Sequence, residues 1–452
     1  MSTPTPARPT VNSVTRPADR PTTCPDCAAP LTGDPAFPVW CPACEWNLVV
    51  APRPTAPLTP RAQRRHERET RRTERRERTV RARTEKVYAL VAGDAPAHRD
   101  LSWLLAAVLA GLVHLVTLLV LAGSVTLLVV GPGPLRVVGV IGLVVAYALR
   151  PRLGRSTADE VPLRREEAPA LYALADGAAA AVGVRPVDAI VVTGEFNAGF
   201  GRYGLRNRGV LQLGLPLWVA LTPQQRTALL GHEFGHDRNG DHRRGRWLRS
   251  AGQALAQWRA MTLPERTASD EAGGLFALAG MVKLLVLHVL HAVAGGLYEV
   301  LDVLTTRSGQ GAEYRADALA VEAAGSEATR SVLEVLLLGA TIESAVTRWR
   351  VQARGTRRTT DGPADGPDLW ATLAERIAAV PPSERERRLR LSERTLGAVD
   401  STHPPTHLRI RMLTARPQIT KALLVADPAR HAEADAELAP HRARIAEQLR
   451  QG

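Results

Sequence analysis

The hydrophobic pattern divides the chain into stretches with and without a repeat. Residues 1–20 are rich in Pro, Thr and Ala and lack apolar periodicity, and 51–60 are Pro-rich. They read as a disordered tail and a linker. Residues 61–86 (RAQRRHERETRRTERRERTVRARTEK) are polar on nearly every face and laced with Glu/Arg pairs four apart, the pattern of a solvated helix. Residues 101–130 then carry no charge at all. As a helix, thirty residues span about 45 Å, and about 20 suffice for a bilayer core. Gly-Pro-Gly-Pro at 131–134 breaks the run, and 135–149 are apolar again apart from Arg136. Together these predict a transmembrane helical hairpin over 101–150, with both ends on one side.

Residues 151–420 read as a mixed, soluble-type domain, mainly α with a small β region. An Ala-rich helix is expected at 167–183, and strands at Ala189–Thr193 and Gly209–Leu213. Gly194–Asn207 between them reads as a turn or loop. Thr222-Pro223 is a helix start, with Thr as N-cap and Pro in the first turn. That helix ends near Gly240, and 421–452 form a helical tail without a site signal.

Composition narrows the class. The chain has 452 residues, 45% of them hydrophobic, which excludes wholesale disorder. All four cysteines fall within 21–50, as Cys24-Pro-Asp-Cys27 and Cys41-Pro-Ala-Cys44. Two such pairs, 13 residues apart, match a zinc ribbon holding a structural zinc on four thiolates. The net charge is +13, and 61–86 supply +7 of it, from twelve basic and five acidic side chains. Placed just before an uncharged run, and followed after the hairpin by Arg150, Arg152, Arg155, Arg164 and Arg165, that charge predicts cytoplasmic flanks. Metal-binding thiolates need the same reducing compartment. No aromatic residue interleaves the basic block, so nucleic acid is not an expected partner.

The chemistry lies in His232-Glu233-Phe234-Gly235-His236. Positions i and i+4 of a helix share a face, so both imidazoles can reach one Zn²⁺, and Glu233 stands beside them as a general base. Two histidines leave the site one protein ligand short. Glu313 is the candidate third ligand, and Asp317, four residues on, would accept a hydrogen bond from a ligand histidine.

Several pieces in order resemble the M48 family of membrane metallopeptidases, which includes HtpX-like proteases and CAAX-prenyl endopeptidases. They are Asn197-Ala-Gly-Phe-Gly201, the 221–241 helix with its HExxH, Glu313-Tyr-Arg-Ala-Asp317, and Ser401-Thr-His403-Pro-Pro-Thr-His-Leu-Arg409. The resemblance covers roughly 155–415 and implies a zincin-type domain with one catalytic zinc, acting on protein or peptide substrates at a membrane. It further implies that His403 and Arg409 flank the site and stabilise an oxyanion, and that Asn197 sits by the strand that pairs with substrate. The alternative is an inactive, membrane-tethered adaptor.

One geometric constraint follows. His232 and Glu313 must meet, so the chain between them crosses a membrane an even number of times. The apolar run 275–298 carries Lys283, His288 and His291 and is too short for two crossings. It is therefore expected to be buried or membrane-resting, with no full crossing.

Overall fold

The computed structural model describes residues 21–31, 33–49, 60–92, 101–150, 161–204, 206–264, 275–357, 368–394 and 403–451. The expected tail 1–20, linker residues 51–59, Arg152, Arg155, and Ser401 and Thr402 of the Ser401–Arg409 segment lie outside them.

The 21–49 region is built from two like turns. The N–H of Ala28 donates to the Cys24 carbonyl at 2.9 Å, and that of Glu45 to the Cys41 carbonyl at 2.8 Å. Ala28 and Glu45 both take a positive φ, 59° and 61°, so each Cys-x2-Cys closes as a knuckle. Helix α1 (Pro60–Ala92) follows.

Helices α2 (Leu101–Val130) and α3 (Gly133–Leu149) pack side by side. Small residues permit the approach. A Cβ at Gly139 would lie 2.9 Å from a Ser124 carbonyl, and one at Gly142 would collide with the Ser124 hydroxyl. Their outer faces are apolar and exposed, including Leu112, Leu119, Val137, Ile141 and Val144.

Helix α4 (Pro169–Val182) leads to strands β1 (Ala189–Thr193), β2 (Ala198–Tyr203) and β3 (Arg208–Gly214). The order is β1-β3-β2, with β1 parallel and β2 antiparallel to β3. Strand β2 corrects the expectation of a loop over 194–207. Its sequence, AGFGRY, has two glycines and no β-branched residue, so propensity does not report it. It exists because it pairs with β3 and lies against the next long helix.

That helix, α6 (Pro223–Arg238), follows the short α5 (Leu215–Ala220). The Gln225 side chain accepts the Thr222 N–H at 2.9 Å and closes a capping box. Buried Arg226 on α6 donates to the Trp218 carbonyl and to Asp435, at 2.9 Å each. Asp435 belongs to α14 (Pro428–Glu437), and Ile445 of α15 (Ala439–Gln451) joins the same core as Trp218, Tyr172 and Phe234. The 421–452 segment is thus part of the domain core.

Helices α7 (Asp241–Met261) and α8 (Leu275–Ala324) are antiparallel. The Arg259 carbonyl lies 3.0 Å from His291 Nδ1, and Leu248 packs with Leu301. Both helices lean on α2, where His114 Nε2 meets Ser250 Oγ at 3.0 Å. Of the two expectations for 275–298, buried or membrane-resting, the structure corrects the first. Leu278, Met281, Leu285 and Val293 are each more than half exposed, and the run is the first half of one 50-residue helix. Helix α7 leads away from α6, and α8 brings the chain back to it. Among the described residues, α2 and α8 are long and apolar enough to cross a membrane.

The remaining helices are α9 (Ser326–Leu336), α10 (Gly339–Arg357), α11 (Leu369–Ala378), α12 (Pro382–Arg394) and α13 (Thr406–Ala415). The fold is mainly helical, with one small sheet behind the catalytic-type helix α6.

Candidate metal centre

Helix α6 lies unusually close to α8 because two of its residues are glycine. A Cβ at Gly235 would sit 3.0 Å from Ala316 Cα, and one at Gly231 would sit 3.0 Å from Ala323 Cβ. That contact brings the imidazoles of His232 and His236 to Glu313. Among the described residues, these three are one of two groups whose ligand atoms cluster within 4.8 Å.

The finer distances suit a metal. His232 Nε2 and His236 Nε2 are 3.3 Å apart. Glu313 Oε2 is 3.5 Å from the first ring, and Oε1 is 3.4 Å from the second. With Zn–N and Zn–O bonds of about 2.05 Å, a tetrahedron has edges of about 3.3 Å. Glu313 Oε2 is moreover buried and makes no hydrogen bond, although Arg409 Nη1 approaches it to 3.4 Å, so it has a lone pair to offer a metal.

Each histidine is held from behind. His232 Nδ1 is 3.0 Å from Asp317 Oδ1, and His236 Nδ1 is 3.1 Å from Asp241 Oδ2. Both contacts direct Nε2 towards the centre. Asp241 has no role in the sequence reading, although it closes the 221–241 stretch. Its signal was Gly240, whose φ of +73° turns the chain so that α7 begins beside His236.

Buried Arg409 clamps Asp317 with Nε at 2.8 Å and Nη2 at 2.6 Å, and Nη1 reaches Glu313 at 3.4 Å. Burial alone would raise the Asp317 carboxyl, but Arg409 and His232 hold it down to about 2. Glu313 is likewise held well below the carboxylate range against its burial, chiefly by Arg409 and then by His232 and His403. Burial and Arg409 oppose a charge on His232, yet Asp317 and Glu313 raise it to about 10.

His403 Nδ1 lies 2.7 Å from Glu313 Oε1, with about half of its side chain exposed. Glu233 Oε2 accepts the Phe200 N–H of β2 at 3.2 Å. Asn197 is exposed at the start of β2, and its carbonyl accepts the Gly214 N–H at 2.9 Å. A cavity of about 600 Å³ adjoins His236, Glu313 and His403 and runs between α7 and α8 to Trp103. Arg409 does not line it.

The second cluster is Cys24, Cys27, Cys41 and Cys44. Cys24 Sγ is 3.5 Å from Cys44 Sγ, and Cys27 Sγ is 3.6 Å from Cys41 Sγ. A disulfide needs about 2.05 Å, whereas four thiolates around zinc at about 2.3 Å are about 3.8 Å apart.

Comparison with curated proteins and with solved structures gives no match. A family model does match, over residues 169–417, a span that contains both histidines, Glu313, His403 and Arg409. M48 peptidases are zinc-dependent, in keeping with the ligand set that α6 and α8 bring together. The chain belongs to peptidase family M48.

Proposed function

We infer that the chain is a membrane-anchored zinc endopeptidase, with zinc on His232, His236 and Glu313. The observation that carries this reading is the convergence of His232, His236 and the Glu313 carboxylate, with nearest atoms 3.3–3.5 Å apart, beside Glu233 on a helix that β2 flanks. Zinc in such a site acts as a Lewis acid and lowers the pKa of bound water. With the metal bound, Glu233 would serve as the general base towards the attacking water and would pass the proton on to the leaving amine. The Phe200 N–H orients the Glu233 carboxylate. An extended substrate adds along β2, the edge strand of the sheet, with Asn197 just before it. His403, half exposed against Glu313, faces the reacting group. Arg409, buried on Asp317 and Glu313, acts as a positioning residue. Cys24, Cys27, Cys41 and Cys44 would hold a second, structural zinc.

The exposed apolar faces of α2, α3 and α8 exceed what a soluble monomer shows. We place them in the bilayer, with the peptidase region and knuckles on the cytoplasmic side, as the arginine-rich flanks favour. Substrates are polypeptides that reach the membrane surface, misfolded membrane proteins among them.

The test is Glu233→Gln in detergent-purified full-length protein, with casein and self-cleavage as readouts. Zinc content should stay at the wild-type value while hydrolysis drops by about 10²-fold or more. A Glu233→Gln protein as fast as wild type sinks the mechanism. A wild type that cuts nothing, with zinc bound, favours the adaptor.

A further inference from the structure

The knuckle region docks on a helix more than 300 residues away. Trp40 is buried, and its Nε1 donates to the Ser383 carbonyl at 3.1 Å. Buried Arg387 of α12 donates to the Leu48 carbonyl at 2.9 Å while clamping buried Glu384 at 2.6 and 2.8 Å. Arg390 donates to the Pro42 carbonyl at 2.5 Å and lies 5.3 Å from the Trp40 ring centroid. Arg394 pairs with Glu45. Apart from Trp40, these contacts fall on 41–48, the second knuckle and its exit. Their geometry therefore depends on how Cys41 and Cys44 are held.

Helix α12 in turn supports the metal centre. Leu389 packs against the cluster formed by Val321, Leu333 and the α13 residues Ile410 and Leu413, and Ser392 Oγ lies 3.2 Å from His407 Nδ1. Helix α13 carries Arg409, and His403 precedes it by three residues. The region 21–49 has a core of little more than Cys24, Leu31 and Cys41. A chain shorter than about 40 residues seldom folds without a metal or disulfide, and ribbons of this kind unfold when the metal leaves.

We propose that the metal-loaded knuckles are a positioning clamp for the peptidase site. Metal on Cys24, Cys27, Cys41 and Cys44 shapes 41–48, which seats α12. Seated α12 fixes α13, and with it His403 and Arg409 against Glu313 and Asp317. Removing the knuckle metal unseats this half of the site and leaves His232 and His236 in place. Peptidase activity thus depends on thiols that touch neither substrate nor catalytic metal. The clamp rests on the peptidase reading for its activity readout alone.

The chain's four cysteines all lie in the knuckles, so a thiol reagent addresses this site selectively. Zinc-loaded full-length protein in detergent is titrated with p-hydroxymercuribenzoate. Released zinc, peptide hydrolysis and amide hydrogen exchange are followed together. One zinc per chain should leave and one stay. The turnover number should fall more than tenfold with little change in KM. Exchange should rise in α12 and α13 but not in α4 or β1–β3, and dithiothreitol with zinc should reverse all of it. Zinc release with unchanged exchange in α12 and α13 overturns the clamp. As a second variant, Trp40→Ala leaves every ligand in place. It should keep both zinc ions yet lose several-fold in turnover and protection of α12; wild-type behaviour in both also overturns the proposal. If the untreated protein cuts nothing, the peptidase reading fails, and hydrogen exchange still decides the clamp.

Discussion

Asp317 and Asp241 perform the same service for two histidines but bear different loads, and Asn substitutions should separate them. Each carboxylate holds one ligand imidazole, at 3.0 and 3.1 Å. Losing such a partner costs about 10–100-fold in metal affinity, or about 1.4–2.8 kcal/mol. Both variants should show it in competition with a zinc chelator. Stability should differ. The Asp317 side chain is 3% exposed and neutralises Arg409, whose side chain is 7% exposed, through two short bonds. Removing one partner of a buried pair costs about 3–5 kcal/mol, because the remaining charge stays buried. Glu313, 3.4 Å from Arg409 Nη1, offsets part of that cost, so about 2–4 kcal/mol is expected for Asp317→Asn. Among the described residues, the arginine paired with Asp241 is Arg315, at 3.9 Å and with 42% of its side chain exposed. Asp241→Asn should therefore cost less than about 1 kcal/mol. The assay is chemical denaturation in detergent with the metal chelated, so that zinc binding does not contribute to stability. Equal destabilisation by the two variants, or unchanged zinc affinity in both, refutes this account.

Other expectations follow from single contacts. Gly235→Val forces side-chain atoms against the backbone of α8 at Ala316. It should cost about 1–3 kcal/mol and weaken zinc binding more than tenfold, whereas Gly177→Ala, with open space around it, should be neutral or stabilising by up to about 1 kcal/mol. His407 is pushed down to about 4 from 6.5, first by burial and then by Arg411. A group depressed in this way stays neutral in the fold while the unfolded chain takes up a proton. Stability is therefore lost as pH falls from 6.5 towards 4, and His407→Gln should flatten that part of an acid titration of the unfolding midpoint.

The sequence makes some of this legible and leaves the rest silent for physical reasons. His232, Glu233 and His236 stand out because a helix repeats every 3.6 residues and metal ligands need one face. Glu313 and Asp317 follow the same rule on α8. The knuckles announce themselves by spacing. Strand β2 does not, since its two glycines and its place against α6 owe nothing to local propensity. The continuity of α8 is hidden by the change from apolar to mixed composition along its length. Asp241 looks like an ordinary helix-start acid until Gly240 turns it towards His236. The seating of the knuckles is the least legible feature. Arg387 and Arg390 sit in a run, ERERRLR, that reads as a solvated helix face, and only the fold shows that some of those arginines are donors to a distant backbone.

The length of α8 has a mechanical consequence. Its exposed apolar residues begin near Leu278, and Glu313 lies on the same unbroken helix. The distance between them is about 52 Å at 1.5 Å per residue. Helix α8 touches α2 and α7 around Leu301, about 18 Å from Glu313. Pivoting there, a tilt of about 5° would swing the ligand carboxylate by about 1.5 Å, most of a metal–ligand bond length. On the proposed membrane placement, the helix would work as a lever whose long arm lies in lipid and whose short arm bears Glu313. Bilayers of different thickness, which set the tilt of such helices, should accordingly change zinc retention in the same protein.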